Sequence, residues 1–248
     1  MKLTLKIWRQ NNAKSKGKLV TYELSDLSSD MSFLEMLDVL NEQLATKGER
    51  VVEFDHDCRE GICGQCSLVI NGQAHGPEGH YTTCQTHLRS FKDGDTLHIE
   101  PFRANSFPVI RDLKVDRTSM DRIIQSGAVD ISCMVICTDA NSIPIHHEIA
   151  ESAFDSAACI GCGACIATCK NSSAALFVSA KVGHLAKLPQ GKIEKMERVI
   201  MMVNAHDDEG FGSCTHTGAC AMVCPQEVQL LDIARMNYEY NRATSFVK

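Results

Sequence analysis

Cys58-Arg59-Glu60-Gly61-Ile62-Cys63-Gly64-Gln65-Cys66, followed by Cys84, is a C-x4-C-x2-C run with a distant fourth cysteine. A second run lies downstream, Cys159-Ile160-Gly161-Cys162-Gly163-Ala164-Cys165-Ile166-Ala167-Thr168-Cys169, spaced C-x2-C-x2-C-x3-C. A third group is Cys214, Cys220 and Cys224, the last followed by Pro225. These groups hold eleven of the 13 cysteines; Cys133 and Cys137 stand apart and read as buried apolar cysteines. So many thiols in a chain of 248 residues need a reason. A secreted disulfide scaffold would be shorter and would open on a signal peptide, whereas Met1 to Arg9 alternates apolar with charged residues. In a reducing compartment the remaining reason is metal.

The rest of the composition is ordinary. With 44% hydrophobic and 23% charged residues the chain is globular, of one or two domains by length. A net charge of −6 gives no electrostatic case for nucleic acid. No apolar run approaches the ~20 residues that a bilayer span needs.

The spacings point to iron and sulfur. An iron–sulfur core needs several thiolates converging on it, and short gaps let one loop wrap the core while backbone N–H groups face its sulfurs. Gly61 and Gly64 in the first loop, and Gly161 and Gly163 in the second, allow that curvature. The first spacing is that of a plant-type [2Fe–2S] loop, giving Cys58, Cys63, Cys66 and Cys84 as ligands. The second is that of a bacterial two-cluster ferredoxin, in which the fourth cysteine of each run serves the other cluster. The third group is the same run with one member replaced: where a cysteine is due, the chain has Thr217, a poor ligand for soft iron–sulfide. Crossing the fourth cysteines gives Cys159, Cys162, Cys165 and Cys224 for a [4Fe–4S] cluster. It leaves Cys169, Cys214 and Cys220 for a [3Fe–4S] cluster, unless water or a non-cysteine ligand holds a fourth iron. Structural zinc is the competing reading, but zinc favours paired C-x2-C knuckles with four ligands, which interleaved triplets do not match.

Around these loops the hydrophobic pattern changes character. Leu3, Leu5 and Ile7 alternate as a strand, with Leu19 to Leu24 as its partner. Met31 to Leu44 carries Phe33, Leu34, Leu37, Leu40 and Leu44 at helical spacing, with Ser29, Asp30 and Ser32 as candidate caps. Ser67 to Ile70 runs into the hairpin signal Asn71-Gly72, and Thr96 to Phe102 reads as a closing strand. Past a connector at Pro101 to Arg111 the pattern turns helical. Asp116 caps a helix with Met120, Ile123 and Ile124; Ile193, Met196, Val199, Ile200 and Val203 mark another; Pro225 suits the first turn of a last one with Val228, Leu231 and Ala234. His146-His147 and His206-Asp207-Asp208-Glu209 read as solvated loops. No nucleotide fingerprint, P-loop or nucleophile elbow occurs, so substrate chemistry falls to a partner and this chain carries single electrons.

The run Cys58 to Cys66 resembles the [2Fe–2S] loop of the iron–sulfur subunits of succinate dehydrogenase and fumarate reductase. Phe107-Pro108-Val109-Ile110-Arg111-Asp112-Leu113 with Val115-Asp116-Arg117 resembles that family's interdomain connector. The two later cysteine groups are similar to its remaining motifs, in the same order. The resemblance implies an α+β fold: an N-terminal β-grasp [2Fe–2S] ferredoxin domain over residues 1–105, then an all-α, bacterial-ferredoxin-like two-cluster domain over residues 106–248. It implies a flavoprotein partner with covalent FAD, a quinone, and a membrane cytochrome b anchor that carries haem b. The [2Fe–2S] cluster would face the flavin and the [3Fe–4S] cluster the quinone. The chain would be peripheral on the cytoplasmic side of the inner (cell) membrane, held there by the anchor. Lys170 and Asn171 follow Cys169, where many members of the family have proline with a tryptophan shortly beyond, and the only tryptophan is Trp8; these departures count against a quinone site built on this subunit, and the run Asn171 to Phe177 resembles members with one large di-haem anchor. The leading reading is the iron–sulfur subunit of a succinate dehydrogenase, with that of a fumarate reductase working in the opposite direction as the alternative; the direction depends on cluster potentials and the quinone, which the sequence does not give. A free multi-cluster ferredoxin, and the iron–sulfur subunit of a thiol-linked fumarate reductase, are the remaining rivals.

Overall fold

The computed structural model describes residues 1–127, 141, 145–189 and 194–246. The first unit is a sheet with one helix laid across it. Strand β1 (Leu3–Arg9) runs antiparallel to β2 (Lys18–Leu24) and parallel to β5 (Thr96–Pro101). Strands β3 (Leu68–Ile70) and β4 (Gln73–Ala74) complete the order β2-β1-β5-β3-β4. The alternation of β1 sends Leu3, Leu5 and Ile7 into the core against Leu97 and Ile99. Asn71 and Gly72 both adopt positive φ (51° and 81°), the two-residue primed turn that their sequence predicts.

Helix α1 (Phe33–Thr46) buries Phe33, Leu34, Met36, Leu37, Leu40 and Leu44 on that sheet. Its start is a capping box: Glu35 N–H donates to Ser32 Oγ (3.3 Å), and Ser32 N–H donates to Glu35 Oε2 (2.7 Å). Of the three candidate caps, Ser32 is the one used.

The connector forms a small hairpin of its own, β6 (Val109–Arg111) with β7 (Lys114–Val115), which the sequence pattern does not announce. It belongs to both cores: Leu113 packs in the first, while Phe107 and Val115 pack in the second. Asp112 pins it. Fully buried, with φ at 47°, its carboxylate accepts two bonds from Arg50 (2.9 Å each) and one from Gln10 N–H (2.8 Å).

The second unit is helical: α2 (Thr118–Gly127), α3 (His147–Ala157), α4 (Ala164–Thr168), α5 (Ala175–Lys187), α6 (Lys195–Asp208), α7 (Ala219–Met222) and α8 (Leu231–Phe246). Asp116 Oδ1 accepts from Thr118 N–H (2.9 Å) at the start of α2, as its position predicts. Helix α5 is the central element, packed on α3, α6 and α8, with Leu176, Phe177, Val178, Ala180 and Val182 buried. Cys133, Cys137 and Ile193 lie outside the described residues.

Two expectations fail here. Pro225 does not open a helix. Residues 225–230 wrap a cavity that Pro225, Gln226 and Val228 line, and Glu227 turns the chain at φ 52°. The last helix therefore starts only at Leu231. The stretch His206 to Glu209 is not a solvated loop: it ends α6, and His206 is 8% exposed. Its Nε2 accepts from Ala174 N–H (3.3 Å) just ahead of α5, and its ring stacks on Phe211 (5.5 Å). His147 is also not in a loop, since it opens α3, but its side chain is solvated, 83% exposed.

Candidate iron–sulfur centres

The eleven described cysteines are all free thiols. In the first unit they fall into two neighbouring pairs. Cys58 lies within hydrogen-bonding reach of Cys63, and Cys66 within reach of Cys84. The loop between strand and helix is shaped by Arg59 (φ 58°), Gly61 (φ 78°) and Gly64 (φ 69°), so its N–H groups turn inward. Glu60 N–H donates to Cys58 Sγ (3.3 Å), and with Ile62 N–H it draws the Cys58 thiol down to about 7. Cys84 falls to about 6, because Cys66 donates to it and Thr82 Oγ1 lies 3.1 Å from its sulfur. Cys66 moves up: it holds the proton that the pair shares, and it is buried. Two thiol pairs facing each other can hold two irons bridged by sulfide.

In the second unit the thiols ring two cavities. The first is lined by Cys159, Cys162, Cys165 and Cys224, closed by Leu176, Phe177 and Val228. The second is lined by Cys169, Cys214 and Cys220, with Thr217 beside them. Cys224 thus lies with the cysteines of the second run, and Cys169 with those of the third group. The exchange follows from two copies of one short element: Gly163 (φ 84°) starts α4 and Gly218 (φ 79°) starts α7, and the two helices pack on each other. Each carries its last cysteine across the contact to the other's cavity.

Burial governs these thiols. It pushes Cys162 up to about 12, Cys165 well above the ordinary thiol range, and Cys220 and Cys224 upward too. Neighbouring thiolates add to the rise, Cys159 and Cys224 on Cys162, and Cys214 and Cys169 on Cys220. Backbone N–H groups oppose it: Ala164 on Cys162, Ala221 on Cys220, and Val228, Gln226 and Glu227 on Cys224. A cage of thiols that resists ionising, yet is supplied with N–H donors aimed at its sulfurs, fits a cationic core whose binding expels the protons. Among the described residues no three His, Cys, Asp or Glu side chains close on one point as a lone metal ion requires.

The cages are joined. A Cβ on Gly64 would sit 2.6 Å from Ile160 O and 3.1 Å from Cys162 N, so the first loop lies backbone to backbone on the second. Ser67 Oγ donates to Cys162 O (2.9 Å). His80 Nδ1 lies 3.0 Å from Cys224 O, and Gln226 Nε2 donates to Gly61 O (3.4 Å). No motif pointed to Ser67, His80 or Gln226, because their roles appear only once the two units meet.

Two contiguous redox units on one chain define an electron carrier of the iron–sulfur class. Family matches agree: a 2Fe-2S iron-sulfur cluster binding domain over residues 4–122 and a 4Fe-4S dicluster domain over residues 155–228. The chain is 26% identical over 243 residues to the succinate dehydrogenase iron-sulfur subunit of Bacillus subtilis, covering 95% of this chain and 91% of that one. It is 26% identical over 252 residues to the fumarate reductase iron-sulfur subunit of Wolinella succinogenes, covering 92% of each. In fold it is similar to a chain of the Mycobacterium smegmatis Sdh1 complex in the apo form, with TM-score 0.61, 18% identity, and coverage of 100% of this chain and 98% of that one. The chain thus carries a 2Fe-2S cluster binding domain and a 4Fe-4S dicluster domain, and over nearly its whole length it is similar to iron–sulfur subunits of succinate dehydrogenase and fumarate reductase.

Proposed function

We propose that this chain is the electron-transfer subunit of a succinate dehydrogenase, moving electrons between an FAD-containing succinate-oxidising subunit and a quinone-reactive membrane cytochrome b. Cys58, Cys63, Cys66 and Cys84 hold a [2Fe–2S] cluster; Cys159, Cys162, Cys165 and Cys224 a [4Fe–4S] cluster; Cys169, Cys214 and Cys220 a [3Fe–4S] cluster. When bound, these supply one-electron carriers whose potentials follow cluster type, charge and hydrogen bonding. The polypeptide's part is to exclude water, aim N–H donors at the sulfurs and fix the cages against one another. The division at residues 105 and 106 belongs to the same reading, as do the quinone and haem b on or beside the anchor. Among the described residues no helix is long and apolar enough to cross a membrane. In this reading the chain is peripheral, held by the anchor on the cytoplasmic side of the inner (cell) membrane.

The observation that carries the reading is the exchange of the fourth cysteines, Cys224 into the first cavity and Cys169 into the second. The 26% identity to a fumarate reductase subunit, equal to that for the succinate dehydrogenase subunit, supports the reverse direction as a second reading. The test is Cys58→Ala in the assembled complex. Quinone-linked turnover disappears, while succinate oxidation by an artificial dye at the flavoprotein persists. Full quinone-linked turnover in that variant would reject the relay.

A further inference from the structure

Arg117 sits at the start of the helical unit, half-buried, where the two cluster loops touch. Its Nη1 donates to Gly64 O (2.8 Å), Cys162 O (2.8 Å) and Ser67 Oγ (2.9 Å). Its Nη2 donates to Gln65 Oε1 (2.7 Å). One guanidinium therefore grips the carbonyl between Cys63 and Cys66 and the carbonyl of Cys162 itself. All four acceptors are neutral groups, so these bonds leave the cation uncompensated. The pairing explains the shape of the junction: Gly64 must lack a side chain for its carbonyl to reach this point.

A reduced cluster carries one more negative charge than its oxidised form. A fixed cation beside it favours the reduced form, the more so where water is excluded. Lysine would supply the charge but not the planar fork that spans two loops.

We propose that Arg117 is a positioning residue for electron transfer: it clamps the [2Fe–2S] loop to the [4Fe–4S] loop and raises the reduction potential of the [4Fe–4S] centre. The proposal rests on the ligand assignment above. It adds a determinant of potential that is neither a ligand nor a neighbour of one in sequence. No proton or further co-reactant is involved: one electron enters the cluster, and the guanidinium, charged throughout, stabilises the added charge.

The experiment is an EPR-monitored redox titration of the assembled, anaerobically prepared complex, with iron and sulfide content measured for each variant. At a fixed poise, Arg117→Gln raises the oxidised-to-reduced ratio of the [4Fe–4S] centre about tenfold, a fall of 59 mV for one electron. Arg117→Lys keeps the charge and stays within about threefold of the native ratio, while limited proteolysis between the units becomes faster because the fork is lost. A fully loaded Arg117→Gln with native potential overturns the proposal. If that variant fails to load its iron, Arg117→Met, neutral and of similar length, takes its place: a tenfold shift there supports the role of the charge, and a native potential overturns it. Absence of any [4Fe–4S] signal in the reduced native complex would instead overturn the ligand assignment on which the proposal stands.

Discussion

Cys162-Gly163-Ala164-Cys165 and Thr217-Gly218-Ala219-Cys220 are the same piece of structure made twice. Each has a left-handed glycine and a single helical turn, after which a further cysteine, Cys169 or Cys224, is thrown across to the other copy. Their surroundings differ. Helix α4 buries Ala164 and Ile166 and faces the junction with the first unit. Helix α7 buries nothing, and its Met222 is 69% exposed. The thiol of the buried copy is replaced by a hydroxyl in the exposed one. Local geometry was thus kept while ligand count and solvent contact were allowed to diverge. On the proposed assignment that divergence separates a closed four-iron relay in the interior from a three-iron centre at the periphery.

The harshest way to test whether both copies depend on iron is to remove it. The two cysteine-lined cavities abut the helical core at Leu176 and Phe177, and an empty thiol cage offers these side chains no dispersion partner. Chelation under reducing conditions should cost on the order of 5 kcal/mol or more, comparable to the whole stability of a small domain. Circular dichroism should then lose helix while the sheet around Leu5, Leu97 and Ile99 survives, because its core contains no cavity ligand except Cys66 and Cys84. The apo form should weaken further with alkali. The folded Cys162 thiol titrates at about 12 against 9.0 for an ordinary thiol, so the folded state holds its proton longer. Stability is therefore lost as pH rises through 9 toward 12. Retention of full helicity after complete iron loss would separate the fold from the clusters.

Thr217→Cys attacks the difference itself. It restores the missing thiol at the position that matches Cys162, beside Cys169, Cys214 and Cys220. The [3Fe–4S] EPR signal of the oxidised protein should fall by most of its amplitude as a fourth iron enters. An unchanged spectrum at full iron content would mean that Thr217 does not set the cluster type.

Most of this comparison was written in the sequence. Thiol spacing is legible because a cluster must be wrapped by a short loop, and the β-grasp strands are legible because their alternation answers to one buried face. The crossing of Cys169 and Cys224 was legible only through the repeat. What could not be read depends on contacts between distant segments. Arg117 meets Gly64 across 53 residues and Cys162 across 45, and nothing local marks it. Pro225 misled because its preference for a helix start was overridden by a chain that must curl around a cavity. His206 misled because its polar neighbours hid a ring that turns inward to satisfy Ala174 N–H. The β6–β7 hairpin was missed because its strands are too short to show a period.

The finest test compares the two glycines. Both hold φ near 80°, where any L-residue pays about 1–2 kcal/mol. A Cβ on Gly163 would in addition meet the Phe107 ring at 3.1 and 3.3 Å and Met120 Sδ at 3.5 Å, all in the buried junction. A Cβ on Gly218 would meet only Leu230 Cδ1, at an ordinary 3.6 Å. Gly163→Ala and Gly218→Ala should therefore both lower the stability of the loaded protein, with Gly163→Ala costing about 1 kcal/mol more. Denaturant midpoints at equal iron content measure the difference. Equal losses would mean that Phe107 yields freely, and that the interior copy is no more tightly packed than the exposed one.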